Sequence, residues 1–464
     1  MISSHSSLYR QSPFCVQEEI LALNSRLRAA LSARSMLKRT AASIERSQWL
    51  APAQWQALQL ESVRKLAEHA RQRVPYYREL FAQAGIDPAR WEHLDDLREI
   101  PELTKQDVIA AGPRLLADGG SWLRFKGSTS GTTGQAMRGW RDRDAIAFEQ
   151  AFVDRQAQWA GYRHGERRAW LRGDPVVPMA QSDGHLWRMN RADNMLMLSS
   201  FHLKPENGAA YIEALERFDP VMLQAYPSSV SYLARWLEDH DRVYRGRALR
   251  CIVTSSETLS AADRKVIAER FGCGVFDWYG AFERVAAIGT CEHGRYHVME
   301  DYGRVEFEPN GDGTASLIGT GFGNRSMPFL RYRAEDRVVL ADPAFECTCG
   351  RRFRVVERVL GRVDDAIRTP DGRHVVMLDW IFSGLPGLIE AQVVQERLDD
   401  VCIRIVAAPE FGPRAETALL QRARERLGTQ IKIRIERVAH IARTRNGKFR
   451  QIVSRLSRSV EANV

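Results

Sequence analysis

Leu249-Arg-Cys-Ile-Val-Thr-Ser-Ser-Glu-Thr-Leu-Ser-Ala-Ala-Asp-Arg-Lys-Val-Ile-Ala-Glu-Arg-Phe-Gly-Cys-Gly-Val-Phe-Asp-Trp-Tyr279 carries three structural signals in succession. Leu249–Thr254 has the composition of a strand, Ser260–Phe271 has helical spacing, and Gly274–Tyr279 is strand-like again. The same alternation precedes it: Val221–Tyr226 is β-rich and Ser228–Asp239 is helical. Strands separated by helices of these lengths predict βαβ units and a largely parallel sheet, hence an α/β fold. From about residue 120 to 345 short β-rich runs continue to alternate with helical ones.

Working outward, the pattern restarts after Gly361. A strand-turn-strand around Pro370-Asp-Gly-Arg373 leads to a helix near Leu378, strands at 389–395 and 401–407, a helix at 413–427 and a strand at 431–436. That is an α+β unit of about 100 residues, a normal domain size. On the N-terminal side, Trp55–Leu80 is apolar at helical spacing and includes Val74-Pro-Tyr-Tyr77. Pro101-Glu-Leu-Thr-Lys105 predicts a turn that starts another helix, capped by Thr104. The expected organisation is a peripheral helical extension (1–45), a large domain with parallel and mixed sheets flanked by helices (46–360), and a small mobile α+β C-terminal domain (361–464).

A chain of 464 residues exceeds one simple core, and 44% hydrophobic with 27% charged residues is ordinary for a globular protein. No apolar run approaches the roughly 18 residues of a spanning helix. The first residues lack a basic patch followed by an apolar stretch, so a cytoplasmic location is expected. The formal charge is +9. Basic residues are scattered among acidic ones except near the C-terminus, where Arg443, Arg445, Lys448, Arg450, Arg455 and Arg458 have few acidic neighbours in sequence. A solvated face and anionic small substrates account for this. The aromatic and basic stripe of a nucleic-acid binder is missing, and no nucleic-acid partner is expected. Seven cysteines spread over this length do not form a secreted disulfide framework. Cys15, Cys251, Cys273 and Cys402 are isolated, and the last three are expected in the core.

The strongest local signal is Lys126-Gly-Ser-Thr-Ser-Gly-Thr-Thr-Gly134. Its glycines let main-chain N–H groups turn toward an anion and its hydroxyls add donors, which suits a phosphate chain. It lacks the Gly-Lys pair of a Walker loop. Tyr279-Gly-Ala-Phe-Glu283 follows a strand, where open α/β sheets place ligand residues, and Glu283 offers a hard oxygen for Mg²⁺. Asp336, in Arg331-Tyr-Arg-Ala-Glu-Asp336, is a partner for a ribose diol, expected just after a strand. Arg443-Thr-Arg-Asn-Gly-Lys448-Phe-Arg450 sets a lysine after a Gly turn. Taken singly, these have bland readings: a flexible linker, an acid at a helix start, a solvated basic tail.

Together, and in this order, they resemble the adenylate-forming superfamily, in its phenylacetate–CoA ligase-like and CapK-like branch. The resemblance runs from about Val74 to Ile452. It is carried by Val74-Pro-Tyr-Tyr-Arg78, the Ser/Thr/Gly loop, Leu198-Ser-Ser-Phe-His-Leu203, Tyr226-Pro-Ser-Ser229, Ser255-Ser-Glu257, Tyr279-Gly-x-x-Glu283, Tyr332-Arg-x-x-Asp336, Gly361-Arg-x-Asp-Asp365 and Asn446-Gly-Lys-Phe-Arg450. It implies ATP as cosubstrate. Ser128, Thr129, Ser130, Gly131, Thr132, Thr133 and Gly134 would cradle the β- and γ-phosphates, with Thr132 acting in catalysis. Ser256 and Glu257 would flank adenine, with Tyr279 and Gly280 beside it. Glu283 would serve Mg²⁺, Asp336 would bind the ribose, and Arg362 and Asp364 would lie at the hinge. Lys448 would contact the substrate carboxylate and the α-phosphate, a cation placed where two anions meet. Two departures stand out: Gln135 replaces a frequent lysine after the loop, and Glu335 replaces a frequent glycine before Asp336.

Cys291-Glu-His-Gly-Arg-Tyr-His297 and Cys347-Thr-Cys-Gly350 pair soft ligands around two tight turns, as a structural Cys₃His Zn²⁺ site requires, with His297 or His293 as the nitrogen ligand. Similar pairs occur in some relatives of the resembling branch. The alternative is two reduced turns without metal.

The implied reaction joins a carboxylic acid to ATP and then to a thiol, that of coenzyme A or of a carrier-protein phosphopantetheine. An amine acceptor, giving an amide, is the second reading. A nucleotide-binding protein without ligase activity in a biosynthetic assembly is the third, against which Glu283, Asp336 and Lys448 argue. Trp170, Trp187, Phe201 and Tyr226 are candidates for an acyl pocket, and Arg172, Asp174 and His202 for recognition of a polar acid.

Overall fold

The computed structural model describes residues 4, 6–119, 121, 123–128, 137–181, 184–362, 367–370, 374–375, 378–382, 384–428, 430–444 and 447–456. The chain forms two compact units: Leu23–His164 with Phe276–Val359, and Ile2–Ala22 with Gly165–Val275 and Leu360–Val464. The break at 359–360 falls beside the expected start of the small domain. The other breaks cut through what the sequence presents as one extension and one large domain, because contact order is not chain order.

The second unit holds the βαβ pattern. Strands Cys251–Ser255, Met222–Ala225, Arg168–Arg172 and Met195–Ser199 pair in that order and in parallel, and Trp187–Asn190 adds an antiparallel edge. The Cys251–Ser255, Met222–Ala225 and Met195–Ser199 strands are buried at every position, so they are continuous apolar runs and not alternating ones. Helices Gly208–Phe218, Pro227–Asp239 and Ala261–Phe271 supply Ile212, Leu233 and Ile267 to the same core as Leu171 and Ile252. The small α+β lobe of this unit has strand order Lys432–Arg437, Asp400–Ala407, Leu388–Arg397, Ile452–Ser454, with helix Pro413–Leu427 placing Leu419 and Ala423 on its core.

The first unit is built differently. Strands Gly303–Pro309, Ala315–Gly321 and Tyr332–Leu340 are sequential antiparallel neighbours, and Tyr296–Val298 pairs antiparallel with both Ala287–Thr290 and Val355–Arg362. The parallel pairs described above lie in the second unit and these antiparallel ones in the first, the parallel and mixed sheets that the sequence leads one to expect. Helix Pro52–Arg73 ends at Val74 and Pro75 starts Pro75–Ala84, because proline lacks the N–H that would continue the first helix. The Leu330 N–H donates to the Tyr77 hydroxyl at 3.0 Å, anchoring the Val-Pro-Tyr-Tyr segment. Thr104 caps Lys105–Ala111 as expected, accepting from the Asp107 N–H at 3.2 Å.

The N-terminal helices are not peripheral. Tyr9 is fully buried and its hydroxyl donates to Val176 O at 2.7 Å. Arg34–Ser47 is held through Arg155, whose guanidinium reaches Ile44 O at 3.0 Å and pairs with Asp301 at 2.6 Å. No helix among the described residues is long and apolar enough to cross a membrane.

Candidate functional site

In the first unit, strands Arg124–Ser128 and Arg138–Asp142 form a hairpin that sets Gly127 opposite Gly139. Both glycines lie flat on the Phe282 ring: a Cβ at Gly127 would sit 2.9 Å from it, and one at Gly139 3.0 Å. Arg141 covers the ring with its guanidinium 4.2 Å from the centroid and donates to the Phe282 carbonyl. The hairpin is thereby docked onto the turn between Gly280 and Glu283. Ser128 closes its first strand, while Thr129, Ser130, Gly131, Thr132, Thr133 and Gly134 lie outside the described residues.

Around that turn, Tyr279 is the penultimate residue of strand Gly274–Gly280 and its hydroxyl donates to Asp336 Oδ2 at 2.9 Å. Asp336 sits within Tyr332–Leu340 and not after a strand, because the apolar alternation of Tyr332, Ala334 and Val338 carries the strand past it. Glu283 Oε1 accepts from the buried Tyr332 hydroxyl at 3.1 Å. Arg284 follows at φ 61°, a left-handed conformation costly for a side chain, and is held there by its 2.6 Å ion pair with Glu149. Glu335 pairs with Lys105 at 3.3 Å. Sequence reasoning assigned nothing to Phe282, Tyr332 or Lys105. All three stand inside segments given above.

In the second unit the candidate residues follow the carboxyl ends of parallel strands, where α/β sheets bind ligands: Gly173, Ser200, Tyr226 and Ser256. Ser256 has φ 72° and its hydroxyl accepts from Arg172 at 2.7 Å. Arg172 lies 4.9 Å over Trp170 and 5.2 Å over Tyr226, and the Trp170 indole donates to Asp174 at 2.6 Å. His202 meets the Ser199 hydroxyl at 2.7 Å, and Trp187 stacks on His185 at 5.1 Å. The Glu257 carboxylate accepts the Ser228 N–H at 3.1 Å and the Phe449 N–H at 2.6 Å. Burial raises its pKa, while the bonds from Ser228 and Phe449 and the charge of Arg443 act in the opposite sense.

Lys448 stands in a closed turn: its N–H donates to Thr444 Oγ1 at 3.1 Å, and its carbonyl accepts the Thr444 N–H at 2.9 Å. Gly447, at φ 70°, brings that turn against Gly173, Ser200 and Phe201. The tail is not a bare basic surface. Arg443 pairs with the buried Glu390 carboxylate and lies 4.8 Å over the Phe449 ring, and Arg455 pairs with Glu396 at 2.8 Å. Arg362 ends strand Val355–Arg362, and Asp364 lies outside the described residues.

The metal-ligand candidates converge in the first unit. One ligand atom from each of Cys291, His297, Cys347 and Cys349 lies within 4.8 Å of all the others. The Cys291 and Cys347 sulfurs are 3.7 Å apart, and Cys349 Sγ is 3.4 Å from His297 Nε2. His293, in contrast, sits in an exposed turn.

Residues 367–455 match the family model of the CapK C-terminal domain. The chain is 26% identical to protein CapK of Staphylococcus aureus over 365 residues, 78% of this chain and 81% of the relative. It is 26% identical to the phenylacetate–coenzyme A ligase of Thermus thermophilus over 437 residues, 86% of this chain and 96% of that one. The chain is thus similar to CapK and to phenylacetate–CoA ligases over most of its length, and its C-terminal segment to the CapK C-terminal domain. Among solved structures, 2-hydroxyisobutyryl-CoA ligase in the postadenylation state superposes with a TM-score of 0.68 at 20% identity, covering 90% of this chain and 92% of that one. The same ligase in its thioesterification state, with CoA, gives 0.56 at 20% identity, covering 88% and 91%. The chain thus shares its fold with 2-hydroxyisobutyryl-CoA ligase.

Proposed function

We propose that the chain activates a carboxylic acid with ATP as its acyl-adenylate, releases pyrophosphate, and transfers the acyl group to the thiol of coenzyme A. The observation that carries this reading is the Lys448 turn packed against Gly173, Ser200 and Phe201, which follow the carboxyl ends of parallel strands. A solvated tail has no reason to fold there. A cation delivered to that end of a sheet stabilises the joining of carboxylate and α-phosphate, both anionic, chiefly in the transition state. Lys448 takes that role. Asp336, oriented by Tyr279, takes the ribose hydroxyls, and Ser256 and Gly280 take the nucleotide base. The 128–134 loop, Thr132 included, takes the β- and γ-phosphates, and Arg362 with Asp364 forms the hinge. Arg172, Trp170 and Tyr226 take the acid.

Two ions fit the residues present. Glu283 offers a hard carboxylate oxygen oriented by Tyr332, suited to Mg²⁺, which would offset phosphate charge when bound. Cys291, His297, Cys347 and Cys349 form a soft, closed donor set suited to a structural Zn²⁺.

The test is acid-dependent ATP–pyrophosphate exchange. Lys448→Ala is expected to lose about 10²–10³ in rate, the scale of one preorganised transition-state contact. Exchange by the wild type without any acid, or equal exchange by the variant, rejects the assignment. Acyl transfer from the enzyme-made adenylate to coenzyme A, a carrier-protein pantetheine or an amine then fixes the acceptor.

A further inference from the structure

We infer that Glu257 is a positioning residue for Lys448, a latch whose carboxylate ties the lysine turn to the start of the helix Pro227–Asp239. The inference rests on the adenylation reading and deepens it. One oxygen accepts the Ser228 N–H at 3.1 Å and the other the Phe449 N–H at 2.6 Å. Each donor has a reason to need it. Ser228 lies in the first turn of its helix, where main-chain N–H groups have no partner inside the helix and the dipole favours an anion. Phe449 directly follows Lys448, so fixing its N–H fixes the lysine's main chain.

The turn has few other degrees of freedom. Thr444 closes it from within, Gly447 abuts Gly173 with no room for a Cβ, and the Gln392 side chain holds the Arg450 carbonyl at 2.8 Å. Glu257 thus joins three separate motifs, Tyr-Pro-Ser-Ser, Ser-Ser-Glu and Asn-Gly-Lys-Phe-Arg, at one carboxylate. A residue that only flanked a nucleotide base would not have both oxygens engaged by main-chain donors. The chemistry also requires a carboxylate. An amide has one acceptor oxygen, and its NH₂ would face one of the two N–H groups as donor against donor.

The test uses Glu257→Gln in the full chain, with Glu257→Asp beside it. Aspartate keeps the charge at the helix start but is one methylene too short to reach Phe449. Both variants are expected to lower kcat for acid-dependent ATP–pyrophosphate exchange by about tenfold or more, as loss of a charge-assisted hydrogen bond implies. KM for ATP should stay within about threefold, because the lost interaction orients a group and does not bind ground-state nucleotide. Amide hydrogen exchange should quicken in peptides covering 447–455 while the Ala261–Phe271 helix stays protected, which checks the fold independently. A raised KM with unchanged kcat makes Glu257 a nucleotide contact and overturns the latch, as does unaltered hydrogen exchange at 447–455. A wild type without exchange activity overturns the adenylation reading instead, and hydrogen exchange still decides the latch.

Discussion

Gly447→Ala separates backbone strain from loss of position. Gly447 adopts φ 70°, and a non-glycine residue there costs about 1–2 kcal/mol. The added Cβ would also lie 2.6 Å from Gly173 Cα and 3.0 Å from Phe201 Cζ. Carbon atoms settle at about 3.5–4.0 Å, so the turn must retreat by roughly 1 Å, and Gly173 cannot rotate a side chain out of the way. Displacing a catalytic group by about that distance costs on the order of 10² in rate. Gly85→Ala is the control: φ is 67°, but nothing lies within 4 Å of its Cβ position. Gly85→Ala should lose about 1–2 kcal/mol in urea unfolding, and Gly447→Ala at least as much because of the added contact. Only Gly447→Ala should lose about 10² in acid-dependent ATP–pyrophosphate exchange. If it exchanges at the wild-type rate, or if Gly85→Ala loses as much, the close approach of the lysine turn has no catalytic meaning.

The hairpin that leads into the Ser/Thr/Gly loop rests on Phe282 through Gly127, so Gly127→Ala should lift it. KM for ATP is expected to rise about tenfold, with Phe282→Leu restoring part of it in the double variant, and an unchanged KM refutes the docking role. Metal analysis of the purified chain should find about one zinc per molecule. Zinc should be lost in Cys349→Ser and His297→Gln and kept in His293→Gln; loss in the last variant would reassign the nitrogen ligand.

Much of the fold is legible locally. Val221–Asp239 and Leu249–Tyr279 announce strand, helix and strand by periodicity, Pro75 dictates a helix break, Thr104 dictates a cap, and the small lobe's elements follow their predicted order. These signals are local because apolar period, proline and capping chemistry act within a few residues. The sequence also orders the motifs that carry the resemblance. What it cannot supply is the partner of each face. That the first unit is built of antiparallel neighbours depends on pairings between distant strands. The choice of His297 over His293 depends on a strand turning one imidazole inward toward Cys349, 52 residues away. That Glu257 accepts the Phe449 N–H, 192 residues away, is likewise invisible in the sequence. Periodicity states which side of an element avoids water; only closure of the whole chain selects the donor that a buried carboxylate meets there.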